Sequence, residues 1–595
     1  MIKIFRNMKS RDVWLSVLCL LLVCGQVYFD LKLPDYTAEI TVLISSEVTE
    51  MSEYITSGAK MLGCALCSAL LTVVVGFFAA RIASDFSFDV REKLFRKVSA
   101  FGSAEIKKFS TASLITRTTN DITQIQMIIA MGLQMMLRAP IMAVWAIIKI
   151  VGKSWQLSAV VAAAVAVVVV SLVVLLTVMI PKFRIVQKQI DDVNRLTEEN
   201  LSGIRVVRAF NAEKYQENKF EKANGSLMKT QLFTGRGMAF LSPIMMFVQS
   251  AVSVGIYYVG AVLINDITIP MDGTAEAMMA AVAERGVLLG EVVSFSSYAL
   301  YVIMSFVMLL MIFMMLPRAQ VSANRINEVL DTEVSVKEGI ANGSDETGSI
   351  EFKDVSFRYP DASEDCLKHI SFTAKKGETV AFIGATGSGK STLVNLASRL
   401  YDATDGEILI DGKEIKEYTF ETLYEKVGLV PQKAVLFADS VKENVSFGNC
   451  GRNVTDEDVD EALDIAQATD FVQALDDGVN SRIAQGGMNV SGGQKQRLSI
   501  ARAIARKPEI LILDDTFSAL DYATDKRLRK RIATDCGDMT CLIVAQRVGT
   551  IRGADRIVVL DEGEVVGMGT HDELMANCPV YKEIALSQLS EAELA

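Results

Sequence analysis

The stretch "LILDDTFSALD", Leu511–Asp521, decides the reading of this chain. With Ile510 before it, a run of four apolar residues ends in two adjacent carboxylates, Asp514 and Asp515. That is the pattern of a buried strand delivering acids to a site at its C-terminal end. A second stretch says what the site would hold. "GATGSGKS", Gly384–Ser391, fits G-x-x-x-x-G-K-[ST] and lies between the strand-like "TVAFI" and the helix-like "TLVNLASRL". Gly384, Gly387, Ser388 and Gly389 let backbone N–H groups wrap the phosphates of a nucleotide, and Lys390 reaches the β and γ phosphates. Ser391, followed by Thr392, offers a hydroxyl to Mg²⁺, and Asp514 is the natural second anchor for the hydrated ion. A glycine-rich turn is the bland account of the loop, and an acidic strand end alone would be weak. Their pairing is what points to a nucleotide.

Around these motifs, short β-rich runs such as "TVAFIG", "GEILIDG", "LILD" and "CLIVA" alternate with helical segments, the grammar of an α/β domain with a mainly parallel sheet. This domain is read as 350–595, preceded by an acidic, Gly/Ser-bearing connector at 326–349. Before it the composition changes. A chain of 595 residues exceeds what one core normally supports. Half of the residues are hydrophobic while 22% are charged, which suggests a membrane half joined to a soluble half. Apolar runs at Val13–Phe29 and at about 59–80, 125–151, 156–180, 238–264 and 286–316 make six spans within a domain at 1–325. The expected fold is therefore an α-helical transmembrane domain of six spans with long cytoplasmic helical extensions, followed by an α/β P-loop nucleotide-binding domain.

Basic segments flanked by Arg81–Arg117, Lys182–Lys229 and Arg318–Arg325 alternate with acidic or very short loops, which places both termini in the cytoplasm. The polar loops at about 81–124 and 181–237 keep helical periodicity and read as helices projecting into the cytosol, within reach of a soluble domain. A compact layout without targeting extensions suggests a bacterial plasma membrane. Net charge is −11, with no block of Lys and Arg interleaved with aromatics, so no nucleic-acid surface is expected. Nine cysteines are scattered, and the Cys64/Cys67 pair inside an apolar segment reads as packing rather than metal or redox chemistry. The sequence holds two histidines, His369 and His571, too few for a histidine-based metal site.

"VSGGQKQR", Val490–Arg497, is more specific still. With the phosphate loop and the acidic strand it closely resembles the ATP-binding cassette family. The six spans resemble that family's exporter half-transporters of the type IV fold, as does "ENLSGIRVVRAFNAE", Glu199–Glu213. The resemblance implies an ATPase coupled to transport, a translocase using ATP and Mg²⁺ in a lipid bilayer. It implies that Tyr359 stacks on adenine and that Gln432 senses Mg²⁺ and the coupling helices. Ser491, Gly492, Gly493 and Gln494 would contact the γ phosphate bound to a partner's loop, and Asp521 would cross between the two sites.

Two positions depart from the family pattern. Glu normally follows the magnesium Asp and polarises the attacking water, whereas this chain has Asp515. Losing one methylene withdraws the carboxylate by roughly 1.5 Å, and a positioned base contributes about 10² to 10⁴ in rate. The family's switch histidine is replaced by Gln546, which donates hydrogen bonds but carries no charge and shuttles no proton. Both changes touch hydrolysis and spare binding. The expectation is the degenerate-site half of a heterodimeric multidrug-type exporter, hydrolysing weakly at its own site. Its signature would complete a competent site whose Glu and His come from a different half-transporter. The alternatives are a homodimeric exporter of peptide or lipid and a nucleotide-gated channel or regulatory subunit. For the cargo, expected to be small and amphipathic, the sequence offers Met304, Met308, Met311 and Met315 on one helical face. It also offers Arg138 in the third span, facing a cavity or snorkelling to the interface.

Overall fold

Apolar runs as long as a bilayer is thick fold into single helices, since backbone polar groups in hydrocarbon must be satisfied within the segment. The computed structural model describes residues 2–6, 8–45, 50–151, 153–269, 275–343, 347–448 and 452–588. They divide into two units, Met1–Lys97 with Ser113–Asp331, and Val98–Ala112 with Thr332–Ala595.

Among the described residues of the first unit, six helices are long and apolar enough to cross a membrane: Ser10–Ser45, Met51–Ser99, Thr111–Val151, Trp155–Ser202, Glu213–Asp266 and Glu276–Leu309. The first five each contain one of the runs seen in the sequence, and the sixth holds most of the run at 286–316. The second and fourth are 49 and 48 residues long, far beyond the ~20 a bilayer needs. Much of the polar sequence at 81–124 and 181–237 therefore continues membrane helices. A shared apolar core joins Val23, Val27 and Leu31 of the first span to Phe295, Tyr298 and Val302 of the sixth. Gly290 lets these two approach closely, since a Cβ there would lie 2.8 Å from the Ala38 carbonyl oxygen.

The first span also carries two carboxylates that tie it to its neighbours. Arg138 pairs with Asp30 at 2.8 Å, and Ser68 of the second span donates to the other oxygen of Asp30. Lys149 pairs with Asp35 at 2.8 Å, and the buried Tyr298 hydroxyl also donates to Asp35. Arg138 thus has an interhelical partner, an arrangement beyond the two the sequence suggested. It lies two residues beyond a π-helical segment at Gly132–Met136. Met304 and Met311 are exposed and Met308 and Met315 half-buried, so the methionine stripe stays out of this core.

In the second unit, strands β1 (Ile350–Phe357), β2 (Leu367–Ala374), β4 (Asp405–Ile410) and β5 (Lys413–Glu414) form an antiparallel sheet in the order β2-β1-β4-β5. A second sheet has the order β10-β9-β3-β8-β7-β6, with β3 (Thr379–Gly384), β6 (Val427–Val430), β7 (Ile510–Asp514), β8 (Thr540–Val544), β9 (Arg556–Asp561) and β10 (Glu564–Gly569). Its four pairings from β9 to β6 are parallel, and β10 joins β9 as an antiparallel edge. "GEILIDG" thus belongs to the antiparallel sheet, apart from the other three runs. Alternation divides the parallel strands between two cores. Ala381, Ile383, Leu511 and Leu513 enter one, while Val380, Phe382, Ile510 and Ile512 enter the other. With both faces covered, these strands read as near-continuous apolar runs.

Breaking the Arg138–Asp30 pair leaves an uncompensated buried carboxylate. Arg138→Met is expected to destabilise the membrane unit by on the order of 3 kcal/mol. Thermal unfolding in detergent should show a lowered midpoint, largely restored by adding Asp30→Asn.

Candidate functional site

Parallel strands aim their C-terminal ends at one edge of the sheet, where open α/β folds bind ligands. Here the ends of β3 and β7 flank β8, so the loop after β3 and the acids after β7 come together. Gly387 and Gly389 adopt φ +90° and +98°, a backbone that side chains disfavour. A Cβ on Gly387 would meet nothing within 4 Å, so this side of the loop is open. Helix α3 (Lys390–Ala397), counted after the short helices α1 (Ser103–Phe109) and α2 (Ile204–Ala209), begins at Lys390. Its Nζ donates to the carbonyl oxygens of Gly384 at 2.9 Å and Ala385 at 2.7 Å and lies 3.2 Å from the Ser388 hydroxyl. Burial pushes this ammonium below its ordinary range, with Asp515 and Asp514 opposing.

Ser391 Oγ lies 3.5 Å from Asp514 Oδ1. Burial and then the neighbouring Asp515 push the Asp514 carboxyl above its ordinary range, against a hydrogen bond from Ser391 and the charge of Lys390. A cation would relieve that cost. One carboxylate, one hydroxyl and a nearby amide are the oxygen donors Mg²⁺ takes when phosphates complete its shell. Among the described residues no cluster of three His, Cys, Asp or Glu could hold a metal by itself. The residues present therefore fit ATP and Mg²⁺.

Asp515 is buried and sits in the left-handed region, φ 46° and ψ 31°, which Asp tolerates better than most residues. Its N–H donates to the Val544 carbonyl at 2.9 Å. Its Oδ2 accepts from two side-chain amides, Gln432 Nε2 at 3.1 Å and Gln546 Nε2 at 2.8 Å. Three residues that the sequence singled out separately thus converge on one oxygen atom.

Tyr359 packs edge-on against Phe357 and Tyr401, and its hydroxyl lies 3.0 Å from the Thr392 Oγ1. Lys107 of α1 stands 5.0 Å over its ring, a cation–π contact that occupies one face. Glu105 of α1 accepts from the Ser335 N–H at 3.1 Å, which seats that helix in this unit. Nothing local in the sequence signals Lys107 in this role.

Ser491 caps α4 (Gly492–Ala505) by a reciprocal capping box with Gln494. A Cβ on Gly492 would meet nothing, so the first turn of α4 is open to an anion approaching its N–H groups. Asp521 caps α5 (Tyr522–Asp535), and backbone N–H donors near Thr524 hold its carboxyl below the usual range. The cleft at the phosphate loop, about 530 Å³, is lined by Gly384, Gly387, Gly389, Lys390, Ser391, Thr392, Gln432 and Gln546, and neither the signature residues nor Asp521 reach it. It is also lined by Cys366 and by Ile584, Ser587 and Gln588, which the sequence did not flag.

Residues 367–518 match the ABC transporter family and residues 52–283 its description "ABC transporter transmembrane region". An uncharacterised ABC transporter ATP-binding protein of Mycobacterium tuberculosis is 37% identical over 541 residues, covering 89% of this chain and 88% of its own length. A Pseudomonas aeruginosa protein named ATP-dependent lipid A-core flippase is 30% identical over 521 residues, 87% of this chain and 82% of its own. The solved structure of a bacterial Atm1-family ABC exporter with ATP bound superposes with a TM-score of 0.73, covering 98% of this chain and 99% of that one, at 22% identity. That likeness concerns the fold.

Lys390→Met removes a charge-assisted donor from the phosphate loop. ATP affinity of the purified chain is expected to fall about ten- to a hundredfold, measured by fluorescent-nucleotide titration.

Proposed function

The chain belongs to the ABC transporter family, as an exporter half-transporter with a transmembrane region and an ATP-binding domain, and from that membership we propose that it is the degenerate-site subunit of a heterodimeric exporter. The observation that carries this reading is the shared acceptor at Asp515, whose Oδ2 receives both Gln432 and Gln546. A general base must reach the proton of the attacking water with a free lone pair. Here the carboxylate is one methylene short, and two amides engage one of its oxygens. Gln546 has no charge with which to stabilise a developing anion. Lys390, Ser391, Asp514 and the glycine loop keep the apparatus for holding ATP and Mg²⁺.

The signature Ser491–Gln494 then acts on another chain's nucleotide, and its open helix start supports that use. A second chain is also suggested at the tip of the second cytoplasmic extension. Around α2, Leu201, Val206 and Phe210 are 68%, 60% and 79% exposed, an apolar cap that a partner's soluble domain would cover. We read the partner as a different half-transporter carrying the Glu and His absent here. Both termini lie in the cytoplasm of a bacterial cell membrane, with the membrane domain at 1–325 and the nucleotide-binding domain at 350–595. ATP at both sites draws the soluble domains together, and hydrolysis at the partner-supplied site resets them.

For cargo we propose small amphipathic compounds, multidrug or lipid-like. The name of the Pseudomonas relative supports the lipid-like end of that range. The exposed Met304 and Met311 offer an adaptable apolar face for such molecules.

ATPase activity decides the matter. The purified chain alone should hydrolyse ATP slowly, and one different half-transporter should raise the rate strongly, with the rise lost when that partner's Glu is replaced. Asp515→Glu with Gln546→His should raise turnover of the chain alone by about 10² or more. Robust hydrolysis by the unaltered chain, abolished by Asp515→Asn, would show that Asp515 is a working base and sink the proposal.

A further inference from the structure

The last described helix, α6 (Pro579–Gln588), is anchored by the fully buried Tyr581 and Ala585. The Tyr581 hydroxyl lies 2.7 Å from His571 Nδ1, which fixes the helix to the start of the preceding one. Anchored in this way, the final turn of α6 reaches the nucleotide cleft, where Ile584, Ser587 and Gln588 form part of the wall. There the Gln588 amide makes two backbone hydrogen bonds at once. Its Oε1 accepts from the Val548 N–H at 2.9 Å, and its Nε2 donates to the Gln546 carbonyl oxygen at 2.8 Å. The pair closes around the extended Arg547 as a neighbouring strand would. Val548 opens a four-residue helix, so its N–H is one of the donors that such a helix leaves without an internal acceptor.

We propose that Gln588 is a positioning residue for this chain's nucleotide site. It fixes the backbone of Gln546, and so the direction in which the Gln546 amide points. Nothing else in α6 approaches the acidic centre by hydrogen bonding, and the connection runs in three steps: Gln588 holds the Gln546 main chain, Gln546 Nε2 reaches Asp515, and Asp515 is held by its own N–H to Val544. The segment 546–548 leaves the sheet after β8, where no strand partner remains to fix it. A side chain from 40 residues further on supplies that partner instead. The inference rests on the reading that Gln546 faces the γ phosphate of ATP bound to this chain.

The test uses the full-length chain in detergent and compares binding of AMP-PNP, an ATP analogue that is not hydrolysed, with binding of ADP. Gln588→Ala should weaken AMP-PNP roughly fivefold, the factor of one lost neutral hydrogen bond, and leave ADP unchanged. Gln588→Glu keeps an acceptor for Val548 but sets an oxygen against the Gln546 carbonyl, and it should show at least the same selective loss. Adding Gln588→Ala to Gln546→Ala should change nothing more. Equal losses for both nucleotides, wild-type affinities in both Gln588 variants, or an undiminished loss in the Gln546→Ala background would overturn the proposal. AMP-PNP is not turned over, so fast ATP hydrolysis by the chain alone would count against the degenerate-site reading and leave this result standing.

Discussion

One backbone hydrogen bond, from the Asp515 N–H to the Val544 carbonyl, holds the nucleotide site together. It extends the parallel pairing of β7 with β8 by one residue past the end of β7 and commits Asp515 to a left-handed turn. From that turn the carboxylate points to where Gln432 and Gln546 meet it. Gln546 is placed by the same bond, because it lies two residues after Val544. Register in the sheet therefore decides which side chains gather at the site, and a slip of one residue would send Asp514 and Asp515 to the wrong faces. The phosphate loop enters the same arrangement from β3, on the other side of β8.

Much of this was legible in the amino-acid sequence because the chemistry is carried by contiguous residues. The phosphate loop, the acidic end of β7 and the signature each occupy one short stretch, and the fully buried strands announce themselves as apolar runs. The six spans were equally plain, since a bilayer demands length above all. What stayed hidden depends on partners distant in the chain. Run length says that "GEILIDG" is a strand but not which sheet receives it. Arg138 stood out as a lone charge, while Asp30 and Asp35 lie just past the first apolar run, where nothing local marks them as partners of the third span. Gln588 has no motif around it, and only folding reveals that it reaches back to residues 546–548.

Under the proposed degenerate-site reading, a nucleotide-binding apparatus loses one capacity without losing another. Holding a phosphate requires N–H groups, one ammonium and a cation site, and these come from the loop and from Asp514. Splitting the γ phosphate requires a base that can reach water and a group that can carry charge. In that reading Asp515 and Gln546 fall short of those two requirements by one methylene and one protonatable ring. The two glutamine amides on one oxygen also satisfy a buried carboxylate that would otherwise be costly to keep.

The polar contacts within the membrane unit bear on how the chain is made. Asp30 is synthesised 108 residues before Arg138, and Asp35 is synthesised 114 residues before Lys149. Throughout that interval the Arg138 partner of Asp30 does not yet exist, while Asp35 has only Lys32, three residues before it and 3.8 Å away. The part of the span around Asp30 must therefore remain near water, or beside the insertion machinery, until the third span leaves the ribosome. Pairing of the first span with the third is then timed by translation, and the Tyr298 hydroxyl arrives last to complete the cluster around Asp35.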